Sequence, residues 1–136
     1  MIIIDADGSI LGRMASQIAK KLLEGEEITV INAEKALLSG SIENVYEEYS
    51  AAYNRGKAIR GPYFPRMPDR IMRRTVRGML PFRTRRGRDA YRRLHVFIGT
   101  PAGIDTLNAV KIATPERKGR YTTLYEISKL LGAGLR

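Results

Sequence analysis

Apolar residues recur along this chain with two different periods. Ile2-Ile3-Ile4 and Ile28-Thr29-Val30-Ile31 are short β-branched runs, the pattern of strands buried on both faces. Between them Leu11, Met14, Ile18 and Leu22 return at helical spacing, with Lys20, Lys21 and Glu24 off that face. Asp5 to Ser9 reads as a turn, with Ser9 expected to cap the helix. Gly25 is placed to end the helix in the left-handed conformation. Strand, helix and strand within about thirty residues predict a right-handed parallel crossover.

A second amphipathic segment follows the Ser39-Gly40-Ser41 turn. Ile42, Val45, Tyr49 and Tyr53 share one face, and Glu43, Glu47 and Glu48 the other. From Asn54 to Pro68, Gly56, Gly61, Pro62 and Pro65 among alternating bases suggest an extended arm, in which Tyr63 is a candidate for stacking. Pro68 suits the first turn of another helix, which runs to about Leu80. At 100° per residue, Arg70, Arg73, Arg74 and Arg77 occupy one side of it, and Ile71, Met72, Thr75, Val76 and Met79 the other. Phe82 to Arg88 reads as a basic loop, Asp89 to Arg93 as a helical turn, and Leu94 to Gly99 as a third strand. Residues 100–118 read mostly as loop, with 107–112 unassigned. Thr123 and Glu126 form a capping-box pattern before a closing helix carrying Leu124, Ile127 and Leu131, ended by Gly132. The predicted class is therefore α/β, a small, mainly parallel sheet of about four strands with a basic arm and helix inserted.

Length and composition narrow this further. One domain is expected for 136 residues, and 43% apolar content suffices for a core. The absence of Cys removes disulfides, thiolate metal sites and cysteine nucleophiles. No apolar run approaches the roughly 18 residues of a membrane span, and the N-terminal run is too short for a secretion signal.

Charge is where the chain departs from the ordinary. Residues 55–93 hold 13 of the 17 arginines and Lys57 against only Asp69 and Asp89, a net +12, while the rest of the chain is close to neutral. Arg dominates there and Lys dominates elsewhere. Solubility would be served by either, but Arg pairs with phosphate through a planar fork and stacks on bases. A one-sided arginine face opposite an apolar face points to nucleic acid. A membrane surface fits less well, because no long apolar face accompanies the charge. One Asp on the α-helical stripe cannot neutralise four arginines, so a merely solvated face does not account for it.

Catalytic readings are weaker. Ile-Ile-Ile-Asp5-Ala6-Asp7-Gly8 resembles the nucleophile motif of haloacid-dehalogenase-type phosphatases, with Asp5 attacking phosphorus, Asp7 as general acid/base and Mg²⁺ neutralising charge. Such enzymes need an acidic pair on a later strand end, and Gly99 to Gly103 holds none. A strand end and turn is the preferred reading. His95 is the only histidine and makes neither a triad nor a metal site alone. The tyrosines, lying mostly on helix faces, are expected in the core. No cofactor, metal or small-molecule substrate is expected.

Asp5-Ala6, Gly8, Leu11-Gly12-Arg13 and Ala15-Ser16, then Val30-Ile31-Asn32-Ala33-Glu34, resemble the large-subunit ribosomal protein L-thirteen family. So do Val76-Arg77-Gly78-Met79-Leu80-Pro81, Gly87, Leu94 and Gly99. The segment Tyr53 to Pro62 is similar to the archaeal and eukaryotic branch, and the lack of a long C-terminal extension favours an archaeal source. The resemblance implies a three-layer α/β/α domain in the cytoplasmic large ribosomal subunit. It also implies binding to large-subunit ribosomal RNA beside neighbouring ribosomal proteins, and a role in early assembly. Messenger RNA is a second candidate partner, since some members repress translation by binding it. Arg77 lies within the family motif. With the charge reading, the expected RNA-binding set is Arg13, Arg55, Lys57, Arg60, Arg66, Arg70, Arg73, Arg74, Arg77, Arg83, Arg85, Arg86, Arg88, Arg92 and Arg93.

Overall fold

A computed structural model describes residues 2–54, 65–104, 106–115 and 119–133. Three strands form a parallel sheet in the order β1 (Ile2–Asp5), β2 (Ile28–Ile31), β4 (Leu94–Val96). Its register places Ile2, Ile28 and Leu94 in one row and Ile4, Val30 and Val96 in another. All four residues of β2 are buried, as a central strand requires. Val110 bridges to Ile4 beyond β1, so the loop after β4 returns to the sheet's other edge. The α/β class expected from the hydrophobic pattern is the class observed.

Helix α1 (Leu11–Leu23) buries Leu11, Met14, Ala15, Ile18, Ala19 and Leu22, the stripe that its spacing predicts. It packs against α3 (Pro68–Met79) and α4 (Arg85–Arg92), and both of these reach β4. Ile71, Met72 and Val76 of α3 are fully buried in the same core as Ile4, Val30 and Ile18. Helices α2 (Ile42–Tyr53) and α5 (Leu124–Leu130) pack on each other beside a two-stranded antiparallel pair, β3 (Leu37–Ser39) and β5 (Tyr121–Thr123).

The capping signals divide. Ser41 accepts a hydrogen bond from the Asn44 N–H, and Thr123 and Glu126 form a complete capping box. Ser9 does not cap α1. Ile10 is the N-cap residue, without a side-chain bond, and Ser9 is buried with its hydroxyl donating to the Asp5 carbonyl. Burial beside the strand end turns that hydroxyl toward the strand instead of the helix. Strand β4 stops at Val96, two residues before the exposed Ile98, and Gly99 then takes a left-handed turn with φ 68°.

The segment from Arg85 is helical where a loop was expected. Thr84 caps it, accepting from the Gly87 N–H at 3.2 Å. A Cβ on Gly87 would overlap the Pro81 carbonyl. Glycine therefore lets α4 start directly against the loop that ends α3.

The described tyrosines are not core residues. Tyr49 and Tyr91 are partly buried against the core, and Tyr46 is exposed. Burial, with nearby Glu48 second, raises the Tyr49 phenol above its usual 10.0, so it stays protonated near neutrality.

Candidate nucleic-acid interface

Helix α3 divides as its sequence predicts except at Met79, which is exposed where the apolar face was expected to reach it. Ile71, Met72 and Val76 point into the core, while Arg70, Arg74 and Arg77 are exposed and Arg73 is partly buried. Thr75 turns its hydroxyl back to the Ile71 carbonyl at 2.9 Å, and Met79, the last residue of the helix, is 44% exposed. Leu80 ends the helix in an extended conformation ahead of Pro81, and the chain then turns into α4.

Two of these arginines are held against rings. The Arg77 guanidinium lies 4.2 Å from the centre of the Phe82 ring, and that of Arg73 lies 5.0 Å from the centre of Tyr91. The two rings meet edge to face, with centres 5.6 Å apart and planes at 89°. Arg73, Tyr91, Phe82 and Arg77 thus form one continuous stack tying α3 to the loop and to α4. Cation–ring attraction fixes each guanidinium without consuming its hydrogen-bond donors. Sequence periodicity found the arginines and missed the rings, because Phe82 and Tyr91 lie on other elements. In the sequence Phe82 and Tyr91 flank the basic run from Arg83 to Arg88, and that placement is the signal that carried them.

Grooves open along this face. One, about 710 Å³, lies between Arg74, Arg77 and Gly78 of α3 and Leu80, Phe82 and Arg83 of the loop. A second, about 310 Å³, runs between Arg70, Arg73, Arg77 and Tyr91.

The other predicted cations distribute unevenly. Arg83, Arg86 and Arg88 are exposed, as are Arg66 and, in the first turn of α1, Arg13. Asp89 lies 3.8 Å from both Arg85 and Arg92, on a surface where such pairs contribute little. Arg93 points inward, donating to the Leu22 carbonyl at 2.5 Å, and Arg86 reaches the Leu23 carbonyl at 3.4 Å. Both satisfy carbonyls at the end of α1, where the helix dipole favours a cation. Arg55, Lys57 and Arg60, with Tyr63, lie outside the described residues.

The strand ends that suggested a phosphatase are filled by the chain itself. Asp5 Oδ1 accepts from the Asp7 N–H at 3.0 Å and from Asn32 Nδ2 at 3.1 Å. Asn32 adopts a left-handed φ of 56°, and its N–H bonds to the Gly99 carbonyl. Glu34 accepts from the Gly99 N–H at 2.9 Å. Asp5 is thereby a turn-forming acceptor. His95 is half-exposed on β4, its Nε2 3.2 Å from Glu27. Among the described residues no cluster of His, Cys, Asp or Glu could hold a metal, and no helix is long and apolar enough to cross a membrane.

Comparison with known proteins gives one consistent result. A family described as ribosomal protein L13 matches residues 1–103. The chain is 51% identical over 135 residues to large ribosomal subunit protein uL13 of Archaeoglobus fulgidus, covering 96% of this chain and 86% of that one. It is 46% identical over 137 residues to the uL13 protein of Methanococcoides burtonii, covering 98% and 99%. With that of Methanocaldococcus jannaschii it shares 44% identity over 137 residues, covering 98% of each.

Proposed function

The chain belongs to the ribosomal protein L13 family, and from that premise we propose that its arginine face binds large-subunit ribosomal RNA and supports early subunit assembly. It is a structural protein of the large ribosomal subunit, of archaeal type, and not a catalyst. Its partners are ribosomal RNA and neighbouring ribosomal proteins.

One observation supports the RNA surface above all others. Helix α3 docks through Ile71, Met72 and Val76 and leaves Arg70, Arg74 and Arg77 on its outer side. Two carboxylates within residues 55–93 cannot neutralise 13 arginines, so the balancing charge comes from outside the chain. Phosphates supply it, and folded RNA presents them by shape more than by sequence. The proposed contact set is the α3 face with Arg83, Arg85, Arg88 and Arg92, flanked by Arg13 and Arg66. Arg55, Lys57 and Arg60 enter on sequence alone. The same backbone-reading surface would hold messenger RNA by the same chemistry. The assembly role comes from the family resemblance.

Sucrose-gradient sedimentation of a native lysate tests the reading. Comigration with large subunits is expected; a protein found only in the light, free fractions would overturn it.

A further inference from the structure

We propose that the groove between the end of α3 and the loop after it is a pocket for one unpaired nucleobase, whose adjoining phosphate is held by Arg74, Arg77 and Arg83. This rests on the RNA-binding reading above and adds a seat for a base where that reading needs only backbone.

Three observations carry it. The groove, open to solvent, measures about 710 Å³, within the roughly 300–1,000 Å³ of clefts that take small ligands. It combines Leu80 and Phe82 with exposed arginines. Contact with a duplex backbone calls for the cations alone; an apolar wall beside them suits a base.

The stacking surface is also fixed in advance. Phe82 has Arg77 over its ring at 4.2 Å and meets Tyr91 edge to face, with ring centres 5.6 Å apart. A base stacking on this pair meets groups already ordered, so little freedom is lost on binding. Guanidinium planes and aromatic rings are the two surfaces on which unpaired RNA bases stack.

Gly78 is the third observation. Glycine in a helix is less stable than alanine, and helix α3 keeps one near its end. No packing among the described residues demands it: beyond its own helix and chain neighbours, a Cβ there would meet none of their atoms within 4 Å. Gly78 lines this groove and also the one beside Glu48 and Tyr49. A side chain at this position would intrude on a guest, not on the protein.

Base identity is read weakly in this pocket. The Thr84 hydroxyl on its wall already donates to the Pro81 carbonyl at 2.7 Å and accepts from the Gly87 N–H. Stacking therefore selects a base over none.

Three RNA hairpins test this, identical except for a fully paired stem, a single bulged adenine, or an abasic residue at the bulge. Dissociation constants are measured by fluorescence anisotropy at fixed salt. The bulged adenine should bind about tenfold more tightly than the abasic bulge, the scale of one base–aromatic stack. Phe82→Leu and Gly78→Leu should each bring that ratio near unity, with helical circular dichroism retained in at least one of them. Equal binding of adenine and abasic hairpins, with both steeply salt-dependent, overturns the pocket and leaves the RNA-binding reading standing. A ratio preserved in both variants also overturns the pocket. Failure of every hairpin to bind in a salt-dependent way overturns both.

Discussion

The guanidinium carbon of Arg77 sits 4.2 Å from the centre of the Phe82 ring, so a residue on the outer face of α3 is aimed by a residue beyond the end of that helix. Arginine suits this place better than lysine, because its planar group can lie on a ring and still present hydrogen bonds to phosphate. Arg77→Lys keeps the charge and loses the fork. RNA affinity should fall about two- to fivefold at fixed salt, the size of an exposed cation–ring contact, with an unchanged salt slope. Binding identical to the parent would mean that Arg77 acts as a bare charge.

Gly87→Ala should destabilise the fold by about 1–3 kcal/mol, the usual cost of overpacking. The added methyl has to push aside the Pro81 carbonyl, to which Thr84 donates through both its N–H and its hydroxyl. Urea unfolding reads this directly. An unshifted midpoint would show that residues 81–84 move out of the way without loss.

Arg93→Ala should also act on stability. Its guanidinium donates to the Leu22 carbonyl at the end of α1, and a hydrogen bond from a charged group to a partly buried acceptor is worth about 1–2 kcal/mol. Thermal unfolding should report the loss. A variant as stable as the parent would return Arg93 to the solvent-facing group.

Met72→Ala removes a side chain with no exposed surface from beneath the arginine face. A loss of about 2–5 kcal/mol is expected for a cavity of this kind, measured by urea unfolding. A cost below about 1 kcal/mol would mean that α3 is not clamped to the core as its burial indicates.

How far the sequence revealed this fold follows from where each signal lies. Strands β1 and β2 and helix α1 announce themselves, because β-branched runs and a helical stripe are local patterns. Helix α3 was legible for the same reason, with both faces written into twelve consecutive residues. Strands β3 and β5 were not. Each is three residues long, and they pair across more than eighty positions, Leu38 opposite Thr122. No local period records such a pairing. Helix α4 was hidden by its composition: with Gly87 and Ala90 as its buried residues, it offers no apolar stripe, and a glycine in its first turn imitates a break.

The candidate site shows the same division. Charge and periodicity placed the arginines of α3 on one side, and the structure does the same. What they could not supply was the role of each cation. Arg93 and Arg86 stand in the same basic run as Arg88 and Arg92, yet their guanidiniums turn to the end of α1. Only tertiary packing separates a cation that braces the fold from one that faces outward.

The claim on which everything else depends is that the outer face of α3 meets the phosphates of RNA. Equilibrium binding to large-subunit ribosomal RNA as a function of salt tests it most directly, using the parent and the Arg74→Ala/Arg77→Ala double variant. The account expects affinity to fall by ~10³–10⁵ between about 50 and 200 mM salt. In the double variant the log–log slope should be shallower by roughly two, at a melting temperature close to the parent's. Affinity indifferent to salt, or a slope that the double substitution leaves unchanged, would contradict it.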